Sequence, residues 1–345
     1  MNEKKYSQSI HKTFAGVFLY IFLYILFVVI FQYFVQADCL HQPCNSEGID
    51  NTSIGWATDF YISLCMFAMG YHLLLDNKSN KSIAVPAALA QISAGIGYLA
   101  GGITHIYFPN NAVGDGYGMA EFYILWVIGY TLLTCSCGFL CLFAGRIILN
   151  KKNSEDGVKE SKPTFSRVLT SRLMTTSFIG TAFSCIFIVL GCFWCLFSSD
   201  ITFTDSIMDQ MPNIGESPAC TDLIFVGEGL WFIMFSTFTI PWSILLFNHS
   251  VKNKLNDHIF SKQPWWLGLK PSLAAILCPI VMWTIGYMYI AWVQVVVLIT
   301  KHDNIALLYR DMHGAVINHL GIGLFFYLCY IVAWKLSSNY NHDMQ

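Results

Sequence analysis

Residues 83–108 read IAVPAALAQISAGIGYLAGGITHIYF, 26 positions without a formal charge. As an α-helix rising ~1.5 Å per residue this run extends about 39 Å, more than the ~30 Å hydrocarbon core of a bilayer. Comparable runs recur along the whole chain of 345 residues, which is 55% hydrophobic and 12% charged; a soluble domain carries about 25% charged residues. Backbone polar groups inside a bilayer must pair within their own helix. The chain therefore reads as an all-α, polytopic transmembrane helix bundle.

Eight spans follow: 14–37, 54–75, 83–108, 117–149, 172–198, 224–248, 270–300 and 314–336. The first lies behind Lys4, Lys5 and Lys12 but is longer than the roughly 7–15 apolar residues of a signal peptide. It reads as a retained anchor added to a seven-helix membrane core over 54–336, with residues 1–13 and 337–345 as tails. Basic residues set the orientation. With the N-terminus inside, all of the 19 lysines and arginines except Lys301 and Arg310 fall on the cytoplasmic side. Eleven acids fall outside, from Asp38 in the first outer loop to Asp311 in the last. Both termini are expected to be cytoplasmic, in the plasma membrane or an endomembrane. The polar stretch KKNSEDGVKESKPTFSRVLTSR (151–172) is expected to be a flexible inner loop.

Of the twelve cysteines, Cys39, Cys44 and Cys220 lie in expected outer loops, where disulfides form. Cys39 and Cys44 are a plausible local bridge, and either also has Cys220 as an alternative partner. Asn51-Thr52-Ser53 on the same side is a glycosylation sequon. The other nine, including CSCGFLC (135–141) and GCFWC (191–195), sit in spans, where free cysteine serves chiefly as a small apolar residue.

Intramembrane polar groups are costly, so their placement points to function. Asp59, His105, Glu121, Glu228, Gln294 and His319 come from six different spans. Counting residues from the span ends puts all six within about 4–9 Å of the outer boundary. Such a layer is expected to form a shared polar pocket, with Asn318 beside His319 as a neutral hydrogen-bonding member. Ser93, Gly97, Gly101 and His105 recur every fourth residue, a small-residue stripe that permits close helix approach. His313 and His319 lie six apart, about 240° around a helix, so His313 joins the layer only from an unwound entry to the last span, which Gly314 permits. Two or three imidazoles with carboxylates are suitable zinc ligands.

The order of a polar span, a glycine-rich span ending in His105, an acid soon after and a last span opening with His319 resembles the CREST superfamily. That superfamily of seven-helix membrane hydrolases includes the alkaline ceramidases and the progestin/adipoQ receptors. Thr58-Asp59 in GWATDFYISL is similar to the opening of the first core helix in bacterial CREST-like proteins. The resemblance covers spans 2 to 8. It implies zinc held by His105, His319 and, offset from the family pattern, His313, with Glu121 or Asp115 as the acid that orients or deprotonates water. The family's serine falls on Gly101 and its second helix-7 histidine on Ala315.

Two function classes stand side by side. One is a metal-dependent hydrolase of lipid amides or esters. The other is a transporter, channel or receptor for a cation, proton or small amine, in which Asp59, Glu121 and Glu228 attract positive charge and the acidic outer loops concentrate it. A bis-histidine haem carrier through His105 and His319 is a third. The expected partners are the lipid bilayer and a small-molecule, lipid or ion ligand, with no nucleic acid.

Overall fold

The computed structural model describes residues 3–35, 53–76, 79–107, 119–149, 165–197, 227, 239–251, 269–284 and 315–339. All regular structure among them is helical: α1 (Glu3–Val35), α2 (Ser53–Leu75), α3 (Lys81–Tyr107), α4 (Met119–Leu149), α5 (Phe165–Phe197), α6 (239–251), α7 (Pro271–Thr284) and α8 (Ala315–Asn339). Six of these, α1 to α5 and α8, are long and apolar enough to cross a membrane. The chain is thus an α-helical, multi-pass membrane protein.

The α2–α3 hairpin shows how local chemistry sets the ends. Asn80 caps α3, its Oδ1 accepting from the Ser82 backbone N–H at 3.0 Å and from the Ser82 hydroxyl at 2.8 Å. The Lys81 ammonium donates to the last carbonyls around α2, Leu74 O at 2.5 Å and Asp76 O at 2.9 Å, where the helix dipole favours a cation. Pro86 lies inside α3 and has no N–H for the carbonyl four residues earlier, that of Ser82. Arg146 of α4 takes that carbonyl, Nη1 to O at 2.8 Å. A break in one helix is thereby converted into a tie to another.

Helix α3 is the centre of the bundle, packed between α2 and α4 and also touching α8. The small-residue stripe does not face one neighbour. A Cβ on Gly97 would lie 2.6 Å from Leu133 Cγ and 2.9 Å from Gly129 O on α4, whereas Gly101 faces Asp59 on α2. The stripe turns across the seam between two helices because a straight α-helix drifts against an every-fourth-residue repeat.

Helix α5 begins at Phe165, so the last part of the expected inner loop is helical. Its buried Thr170, Ser177, Thr181 and Ser184 form a small, polar stripe. They recur at helical spacing, so the turn before the expected span belongs to the packed face that α5 presents to α4. Helix α1 likewise extends back to Glu3, through residues read as a tail.

Helix α1 packs at the edge, against α2 and α8. Phe18, Phe22, Ile25, Val29 and Tyr33 are exposed, as suits a helix that faces lipid. Tyr20 and Tyr24 turn inward. The Tyr20 ring stacks on Tyr327 of α8 at 5.4 Å, but its buried hydroxyl has no hydrogen-bond partner. A Cβ on Gly323 would lie 2.0 Å from that hydroxyl. Tyr20→Phe is expected to stabilise the protein by about 1 kcal/mol by removing an unsatisfied group. Gly323→Ala is expected to cost about 1–3 kcal/mol through overpacking, and much of that loss should be recovered in the Tyr20→Phe/Gly323→Ala double variant. Thermal unfolding of the purified variants checks both signs.

Candidate functional site

At the expected outer end of the core, α2 and α8 meet through charge. His319 Nε2 lies 3.1 Å from Asp59 Oδ1, with the Asp59 side chain 4% exposed and that of His319 12%. The other ring nitrogen, Nδ1, is 2.7 Å from Thr58 Oγ1. Thr58 is fully buried, and its hydroxyl also lies 2.8 Å from the carbonyls of Ile54 and Gly55 one turn earlier. Both imidazole nitrogens are therefore engaged by α2.

Hydrogen counting shows what this arrangement can do. Thr58 has one hydroxyl proton. If it goes to Ile54 O or Gly55 O, Nδ1 must carry a proton and donate to Thr58 Oγ1. Nε2 then either donates to a carboxylate, as imidazolium, or accepts from a protonated Asp59. If Thr58 instead donates to Nδ1, the ring is neutral and its Nε2–H donates to the charged Asp59. The same heavy atoms accommodate several proton distributions, so a proton can be gained or moved without repacking.

Other helices close the site. The Tyr98 ring of α3 stands edge-on to His319 at 5.8 Å and lies beside Asp59. Tyr24 of α1 donates its hydroxyl to Val316 O at 2.8 Å, one turn before Leu320, and lies beside Thr58 and Asp59. Gly101 leaves room over the carboxylate: a Cβ there would be 3.7 Å from Asp59 Oδ2.

Among the sequence candidates, Asp59 and His319 are in contact, and Asn318 is half-buried beside them on α8. His105 lies on α3 one turn beyond Gly101, and Glu121 lies in the first turn of α4; both side chains are outside the described residues. So are Asp115, Glu228, Gln294, His313, Asn51, Cys39, Cys44 and Cys220. Thr58, Tyr98 and Tyr24 join the site although the polar layer expected from the sequence does not contain them. Tyr98 is seven positions before His105 and so shares its face, which was readable. Tyr24 is 292 residues from its partner, and no local pattern signals such a contact.

Zinc chemistry needs three protein ligands and an open position. Among the described residues no group of three or more His, Cys, Asp or Glu is placed to hold a metal ion. The described part of the site has one imidazole and one carboxylate, and both imidazole nitrogens already face groups on α2, Nδ1 Thr58 and Nε2 Asp59. The span cysteines follow the same rule. Cys137, Cys141, Cys278 and Cys329 line an apolar cavity of about 60 Å³ between α4, α6, α7 and α8, with Cys278 and Cys329 sulfurs 3.9 Å apart. They are free thiols in an apolar wall.

No family model matches the chain, and comparison with characterised proteins and with solved structures finds no match. The class defined so far is that of a multi-pass helical membrane protein with a buried carboxylate–imidazole pair.

Proposed function

We propose that this protein binds a proton together with a small cation or amine from the outer side of the membrane, and works as a transporter, channel or receptor for it. The observation that carries this reading is the engagement of both His319 nitrogens, by Asp59 and by Thr58. A buried pair whose charge changes with one proton is a device for coupling proton occupancy to cation occupancy. In this reading Asp59 is the primary counter-charge, with Glu121, Glu228, Gln294 and Asn318 completing the polar layer. The acidic outer loops draw cations toward it. The topology is that given by the basic residues, with both termini cytoplasmic.

Purified protein titrated with small primary and quaternary amines tests this. Occupancy at a hundredfold excess over Kd is expected to stabilise the wild type by about 2.7 kcal/mol. Asp59→Asn, which keeps the side-chain shape, is expected to abolish that gain. A gain preserved in Asp59→Asn, or absent from the wild type across amines and pH, would overturn the reading.

The resemblance to CREST hydrolases supports a second reading, and one observation favours it. The position of the family's serine, Gly101, faces the Asp59 carboxylate, 3.7 Å from where its Cβ would lie, and His105 follows one turn later on the same helix. Zinc would there be held by His105, His313 and a His319 released from Thr58. Zinc would supply an activated water. Stoichiometric zinc in the purified protein, lost on His105→Ala, supports this reading; metal-free protein removes it.

A further inference from the structure

We propose that the α2–α3–α8 interface is a proton path joining the Asp59–His319 pair to a second polar cluster at the opposite end of the bundle. This rests on the reading of that pair as a proton site and extends it across the membrane.

The path is built from three helical faces. On α8, His319, Phe326, Tyr330 and Trp334 recur at intervals of seven, four and four residues, which keeps them on one face. On α2, Thr58, His72 and Asp76 share a face in the same way, and on α3 so do Tyr98 and Gln91. These faces meet in a series of side-chain bonds. Thr58 reaches His319; Gln91 Nε2 donates to Phe326 O at 2.8 Å; Tyr330 Oη lies 3.1 Å from His72 Nδ1; and Trp334 Nε1 donates to Asp76 Oδ2 at 2.9 Å. Converted at ~1.5 Å per residue along α8, the levels lie about 10, 16 and 22 Å below His319. That depth spans most of a hydrocarbon core.

Gln91 is the decisive residue. It is 1% exposed in the middle of the bundle. Its bond to Phe326 O requires the amide N–H there, so the orientation of the amide is set and Oε1 points elsewhere. That oxygen is buried and has no hydrogen-bond partner. An unsatisfied acceptor at this depth costs about 1–3 kcal/mol, whereas leucine would fill the space without that cost. The oxygen is suited to accept from a transient water. About three waters spaced ~2.8 Å apart would cover the ~10 Å between the levels of His319 and Gln91, and one more the ~6 Å from there to Tyr330.

The proton balance is simple. A proton enters the Asp59–His319 pair from outside, and each water accepts one proton and releases another. Tyr330 and His72 pass it on toward Asp76, and one proton leaves on the inner side. No oxidant or reductant is involved. Among the described residues, the titratable groups facing this route include Tyr24 from α1, Asp59, His72 and Asp76 from α2, Tyr98 from α3, and His319, Tyr327 and Tyr330 from α8.

The test uses the full chain in phosphatidylcholine vesicles loaded with a pH-sensitive dye, with potassium and valinomycin to clear the voltage. After an external acid jump, wild type is expected to acidify the lumen about tenfold faster than empty vesicles. Gln91→Leu is expected to return the rate to near that of empty vesicles while keeping thermal stability at or above that of wild type and leaving amine binding unchanged. Gln91→Glu, which retains an acceptor, is expected to keep most of the flux. Unchanged flux in Gln91→Leu overturns the path, as does a wild type no faster than empty vesicles while amine binding still depends on Asp59. Amine binding that ignores Asp59→Asn overturns the reading beneath it.

Discussion

Asp59→Ala is expected to destabilise the folded protein by about 3–5 kcal/mol, the usual cost of breaking a buried charge pair by removing one partner. The loss comes mainly from what is left behind. His319, largely buried, would lose the carboxylate that faces Nε2, while Thr58 still held Nδ1. His319→Ala is expected to cost a similar amount by stranding the carboxylate. Removing both leaves no unpaired charge, so Asp59→Ala/His319→Ala should fall short of the sum of the single losses by about 0.5–3 kcal/mol. Unfolding in detergent micelles gives all four corners of the cycle. Strict additivity would show that the two groups are energetically independent, and would remove the basis for treating them as one proton-holding unit.

Gly97→Val is expected to have the second large effect, loss of the folded protein or a stability drop beyond the about 1–3 kcal/mol usual for overpacking. The argument is geometric. The first added carbon would already meet Gly129 O at 2.9 Å, and that oxygen belongs to the α4 backbone and cannot swing aside. Leu133 Cγ at 2.6 Å closes the other direction. Helices α3 and α4 would have to separate, and α3 carries both Tyr98 and the end that bears His105. Gly101→Ala is a suitable contrast, since its Cβ would meet Asp59 Oδ2 at an ordinary 3.7 Å. It should fold nearly as wild type. Size-exclusion profiles and thermal unfolding of the two variants side by side check the difference.

Much of this architecture is legible in the residues. The uncharged run at 83–108 and its counterparts specify membrane helices because a bilayer leaves the backbone no other way to pair. Asp59 and His319 stand out because charge inside a span is expensive, and counting from the span ends puts them at one level. The extents of α1 and α5 were less legible: polar residues before a span mark the point where it leaves the lipid, which need not be where the helix ends. Pro86 and Arg146 illustrate a further limit. Proline announces a free carbonyl, but the residue that takes it comes from another helix, 64 positions away.

The sequence by itself determined that the chain is a bundle of apolar helices with rare ionisable groups near one end, because hydropathy and charge are local properties. Only the tertiary structure decided which of those groups touch. It placed Thr58 and Asp59 on opposite nitrogens of one imidazole, turned the Gly97–Gly101 stripe across two neighbours, and brought Tyr24 of α1 to the start of α8. It also left Gln91 with an unsatisfied oxygen at mid-depth. Each of these depends on helix rotation and crossing, which packing of the whole bundle sets and no single segment encodes.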